Sequence, residues 1–158
     1  MKIFNIIIYT FTLIFFAGCG FKLLDQTKLK NYNILEIKDS GDKKVNFFIK
    51  NELNNLLNDA NSNNDLIVTI KTEKVKSIKE KNKKNQITKY NININSIIEI
   101  YFINRNVTKT INLNKENFYN VNTNQSVTRN NQKNIENNLN DKLAQDISNK
   151  LLRIINEL

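Results

Sequence analysis

The chain has 158 residues, a formal net charge of +9 at pH 7, a single cysteine, and neither histidine nor proline. Without histidine there is no imidazole general base, no imidazole metal ligand and no Ser-His-Asp triad. The carboxylates Glu52, Asp59, Asp65 and Glu99 are scattered, with no visible acid–base pair, so the chain reads as a non-enzyme with no catalytic residue, no metal site and no cofactor.

The N-terminus carries the first signal. Met1-Lys2 is a short basic end, and residues 3–16 are an apolar run relieved only by Asn5, Tyr9, Thr10 and Thr12. The run is shorter than the roughly 20 apolar residues a membrane-spanning helix needs, and it ends in the small residues Ala17-Gly18 before Cys19-Gly20, so it reads as a signal peptide. Ala17-Gly18-Cys19 resembles a bacterial lipobox, with Phe16 standing where that motif usually has leucine. The resemblance implies cleavage before Cys19, a diacylglycerol on its thiol and an N-acyl chain on its new amino terminus. Having no second cysteine fits, because a leftover thiol is a liability in an oxidising compartment. Several acyl chains make such an anchor effectively permanent. Gly20 takes the place where Asp would hold a lipoprotein at the inner membrane, so the expected location is the outer membrane, with the chain facing the periplasm.

The expected organisation is a signal peptide at 1–18, a lipid-proximal tether at 19–32 and one periplasmic domain at 33–158. The tether is polar with one apolar cluster, Phe21-Lys22-Leu23-Leu24. Asn33-Ile34-Leu35-Glu36-Ile37-Lys38 alternates briefly as a first strand, and Asp39-Ser40-Gly41-Asp42 is turn chemistry. Ile49, Leu53, Leu56, Leu57 and Ala60 then recur at helical spacing, predicting a helix over about 45–60 with Asp42 or Asn46 as its N-cap.

Leu66, Val68 and Ile70 open a second strand, over about 66–78. Residues 79–85 are basic and lack side chains for a core, which predicts an exposed hairpin tip. The clearest period of two follows, with Tyr90, Ile92, Ile94, Ser96, Ile98, Ile100 and Phe102 on one face and Asn91, Asn93, Asn95 and Glu99 on the other. Asn104-Arg105-Asn106 reads as a turn. A fourth strand is predicted over about 107–119, with Ile111 and Leu113 inward. Residues 120–131 carry no period. Ile135, Leu139, Leu143, Ile147, Leu151 and Ile155 then mark a long helix whose stripe is widened by Ala144, Ser148 and Leu152. The predicted fold is α+β: a four-stranded, mostly antiparallel sheet with two helices packed on one face.

This element order behind a Cys-Gly-Phe start resembles the lipopolysaccharide-assembly lipoprotein family (LptE, also called RlpB) across essentially the whole chain. The residues that carry the resemblance are Cys19-Gly20-Phe21-Lys22-Leu23, Asp39-Ser40-Gly41-Asp42, Thr88-Lys89-Tyr90-Asn91-Ile92, Phe118-Tyr119 and Asp141-Lys142-Leu143-Ala144. It implies a subunit that plugs and supports an LptD-type outer-membrane β-barrel, catalyses nothing, and contacts lipopolysaccharide during insertion into the outer leaflet. The residues it points to for glycolipid phosphates are Lys81, Lys83 and Lys84 in the hairpin and Arg129 before the last helix. Exposed Lys and Arg make charge-assisted hydrogen bonds to such oxygens. The basic balance suits anionic lipid at an envelope surface, and nucleic acid is not an expected partner. The alternative is a scaffold lipoprotein of another outer-membrane assembly machine, with the same tether and domain and no glycolipid binding.

Overall fold

The computed structural model describes residues 26–57, 62 and 64–158. The signal segment, Cys19 and the apolar cluster Phe21-Lys22-Leu23-Leu24 lie outside the described residues, as does Ala60. A 3₁₀ turn at Gln26–Asn31 leads into β1 (Tyr32–Gly41), α1 (Lys43–Leu56), β2 (Asn64–Lys81), β3 (Ile87–Phe102), β4 (Val107–Asn120) and α2 (Gln125–Glu157). Within the stretch expected as a tether, the 3₁₀ turn already buries Leu29, and Tyr32 packs edge-on against Phe102.

The sheet order is β1-β2-β3-β4. β1 runs parallel to β2, as the intervening α1 crossover allows, while β2–β3 and β3–β4 are antiparallel hairpin partners. The α+β prediction holds, with one parallel pair in an otherwise antiparallel sheet.

One face of the sheet is core. Leu66, Val68 and Ile70 of β2 lie opposite Phe102, Ile100 and Ile98 of β3, and Ile98 and Ser96 lie opposite Ile111 and Leu113 of β4. These side chains are buried under Ile49 and Leu53 of α1 and under Leu139, Leu143, Ile147, Leu151 and Ile155 of α2. The opposite face carries Asn91, Asn93, Asn95, Asn112, Asn114 and Glu116, among which Asn114 bonds Asn93 and Asn95 and Asn91 bonds Glu116. The period of two in sequence has become one dry face and one largely polar face, on which Ile97 and Phe118 are exposed.

The β1–α1 junction is tightly determined. Gly41 has φ +97°, and a Cβ there would stand 1.7 Å from the backbone oxygen of Thr72. Asp42 then caps α1, its carboxylate accepting from the Val45 N–H at 2.9 Å. The Asp42 N–H donates to Thr72 Oγ1 (3.0 Å), whose hydroxyl donates to Asn46 Oδ1 (2.6 Å). Asn46 Nδ2 donates in turn to Asp39 and to the Ser40 carbonyl, both at 3.1 Å, so this buried amide is satisfied on every side.

Four boundaries differ from the sequence reading. α1 ends at Leu56, short of residue 60, and Leu57 caps it by donating its N–H to the Leu53 carbonyl. β1 continues through Asp39 and Ser40 to Gly41, because those residues pair with Ile70, Lys71 and Thr72 and only Gly41 and Asp42 turn the chain. β2 reaches Lys81, so the hairpin tip is confined to residues 82–86. Ladder pairing with β3 holds this polar stretch extended, although it carries no core residues of its own. α2 begins at Gln125, ten residues before its first apolar landmark. Its opening turns carry only Val127, which is exposed, among polar residues and show no period, and its start is set by the Asn124 side chain accepting from the Ser126 N–H. The Asn104-Arg105-Asn106 turn is as expected, with Asn106 at φ 53°.

Candidate functional site

The β2–β3 hairpin projects past the end of β1. Asn82 holds its tip: the side-chain oxygen accepts from the N–H groups of Lys84 (2.9 Å) and Gln86 (3.0 Å), and its backbone pairs with the Gln86 carbonyl at 2.9 Å. Asn85 takes the left-handed turn position at φ 62°. Lys83 and Lys84 are thereby presented on the tip, and Lys81 stands at the last position of β2. All three are exposed, and among the described residues none of them is paired with a carboxylate. Three ammonium groups on a rigid hairpin can bind an anionic headgroup without first breaking an ion pair.

Below the tip the lysines sit on aromatic faces. Lys79 Nζ lies 3.9 Å from the Phe118 ring centroid, and Lys76 Nζ lies 4.1 Å from that of Tyr90 and 5.3 Å from that of Tyr119. Tyr90 and Tyr119 pair across β3 and β4 and stack at 5.7 Å. Lys76 and the Tyr119 hydroxyl both donate to Gln132 Oε1 of α2, at 3.2 and 3.0 Å.

Gln132 Nε2 donates to Glu136 at 2.8 Å, and Lys44 of α1 reaches the same carboxylate at 3.1 Å. Burial opposes ionisation of Glu136. The hydrogen bonds from Gln132 and Lys44 and the charges of Lys74 and Lys44 outweigh it and hold the carboxyl below the usual glutamate range. Arg129 stands near the start of α2, where it lines a shallow cleft of about 240 Å³ with Lys44, Gln132, Lys133 and Glu136. The hairpin lysines thus share one tip, and Arg129 belongs to a neighbouring cleft between the helices.

The Lys76–Tyr90–Tyr119–Gln132 cluster was not legible in the sequence. Tyr90 was readable as an inward residue of β3, but its partners become adjacent only through the β3–β4 register and the rotation of α2. Among the described residues no helix is long and apolar enough to cross a membrane.

Neither a family model nor a curated protein matches the chain. Solved structures do. A putative lipoprotein from Caulobacter crescentus CB15 aligns at TM-score 0.54 and 8% identity, covering 84% of this chain and 95% of that one. An uncharacterised lipoprotein B from Nitrosomonas europaea aligns at TM-score 0.54 and 11% identity, over 86% and 92% of the two chains. Rare lipoprotein B from Shewanella oneidensis aligns at TM-score 0.50 and 9% identity, over 77% and 94%.

The chain has the lipoprotein B fold. At these identities the likeness is one of fold. In this chain the lipoprotein B fold sets the basic hairpin, the aromatic-backed lysines and the Arg129 cleft on the end of the domain where β2, β3 and β4 outrun β1.

Proposed function

We propose that this chain is an outer-membrane lipoprotein of the LptE (RlpB) family. It is anchored through acyl chains on Cys19, plugs and supports an LptD-type β-barrel, and contacts lipopolysaccharide during insertion through Lys81, Lys83, Lys84 and Arg129. The observation that carries the reading is the conjunction of Ala17-Gly18-Cys19-Gly20 with a domain of the lipoprotein B fold.

Two surface features support it. The open sheet face is lined with asparagine, which can exchange hydrogen bonds with the wet interior of a barrel. The hairpin offers unpaired ammonium groups to phosphate oxygens, and residues 71–90 hold eight lysines against two glutamates.

Depletion of the chain tests the proposal. The expected result is loss of lipopolysaccharide from the outer leaflet while unrelated barrel proteins still assemble, with wild type restoring the leaflet and Cys19→Ala failing to do so. A general defect in barrel assembly with normal surface lipopolysaccharide would instead assign the chain to another assembly machine.

A further inference from the structure

The same abrupt end of β1 leaves part of the sheet without a neighbour. β1 pairs with β2 only as far as Gly41 opposite Thr72, where the left-handed glycine and the Asp42 cap turn the chain into α1. β2 continues for nine more residues, 73–81, bonded to β3 on its inner side. On the outer side no strand of the described residues lies along it. At about 3.3 Å per residue this edge is roughly 30 Å long. Its regular part, residues 73–78, turns N–H and C=O groups outward from about every second residue with no partner among the described residues, and the register with β3 shifts between Ile78 and Lys81.

Two further features mark the edge. Val75 and Ile78, 44% and 50% exposed, flank it on opposite faces of the sheet, where an added strand would cover both. The charge is one-sided: Lys74, Lys76, Lys79 and Lys81 lie on the segment itself, with Lys83 and Lys84 just beyond, against Glu73 and Glu80. Lysines along an edge repel a second copy of the same edge, so pairing between copies of this chain is disfavoured. Lys74 is paired with Asp42 at 3.1 Å and Lys76 bonds Gln132, so Lys79 and Lys81, with Lys83 and Lys84 beyond, are the charges left to attract an extended segment bearing carboxylates at alternate positions.

We propose that the outer edge of residues 73–81 of β2 binds an acidic, extended segment of a partner protein as an added strand in line with β1. Backbone hydrogen bonds would supply the pairing, and the lysines would select the acidic sequence. The inference uses neither the barrel nor the glycolipid assignment.

The test uses the full chain in non-ionic detergent and three labelled synthetic peptides. The first alternates threonine and glutamate, the second is the same peptide N-methylated at alternate amides, and the third alternates threonine and lysine. Fluorescence anisotropy should show binding of the first, at least tenfold weaker binding of the second and none of the third. Amide hydrogen exchange with the first peptide should slow at residues 73–81 and not along β4. Equal binding of the methylated peptide would reduce the site to charge attraction and overturn strand addition. Protection confined to β4, or no binding of the first peptide, would overturn it as well.

Discussion

Replacing Gly41 with alanine probes the joint on which the arrangement turns. At φ +97° any L side chain is strained, by about 1–3 kcal/mol. The new Cβ would also stand 1.7 Å from the Thr72 carbonyl oxygen, so β1 and β2 must separate locally. That separation stretches the bond from the Asp42 N–H to Thr72 Oγ1 and disturbs the Asp42 cap, adding about 1–2 kcal/mol. The total of about 2–5 kcal/mol is a large share of the 5–15 kcal/mol typical of a domain. Chemical unfolding followed by circular dichroism should show that loss, or a melting temperature lower by roughly 10–20 °C. Thr72→Val, which replaces the hydroxyl with a methyl and leaves the rest of the side chain in place, should cost about 1–2 kcal/mol. A Gly41→Ala protein within about 0.5 kcal/mol of wild type would refute the claim that this close approach dictates glycine.

Other perturbations separate core, charge and site. Leu53→Ala, at a fully buried position on the inner face of α1, should destabilise by about 2–5 kcal/mol in the same unfolding assay. Glu136 and Asp42 are both held below their usual range. For each, burial opposes ionisation and is outweighed, for Asp42 by the Val45 N–H and then Lys74, and for Glu136 by the Gln132 amide and then Lys44 with the charge of Lys74. The stability these groups contribute is therefore present above the unfolded carboxylate range and lost as pH falls through their folded values. Glu136→Gln should flatten the acid limb of a stability–pH curve, and an unchanged limb would count against the Lys44–Glu136–Gln132 network. Reversing the charge of Lys81, Lys83 and Lys84 together should leave stability within about 0.5 kcal/mol while weakening lipopolysaccharide binding at least tenfold. Equal binding by the reversed variant would remove the hairpin from the glycolipid site.

Legibility in the sequence followed one-sided burial. β3 was readable because Ile92, Ile94, Ile98 and Ile100 enter a dry core while Asn91, Asn93 and Asn95 face water, and the later part of α2 because Leu139 to Ile155 form a single buried stripe. Where a segment buries nothing, the pattern was silent. The opening turns of α2 depend on the Asn124 cap, and residues 79–81 of β2 depend on pairing with β3, neither of which leaves a hydrophobic period. The hairpin lysines could be read as exposed because no apolar residue accompanies them. The setting of Arg129 beside Lys44, Lys133 and Glu136 could not, since it arises from how α1 and α2 pack. Cys19 rests on local motif alone and lies outside the described residues.

The central claim is that the domain lodges in an LptD-type barrel. It is tested most directly by tagging the C-terminus, solubilising outer membranes in mild detergent, purifying through the tag and identifying co-purifying proteins by mass spectrometry, with Cys19→Ala alongside. The account predicts a stoichiometric LptD-type barrel with wild type and reduced recovery with Cys19→Ala. Recovery of a different assembly, or of no barrel at all, would contradict it.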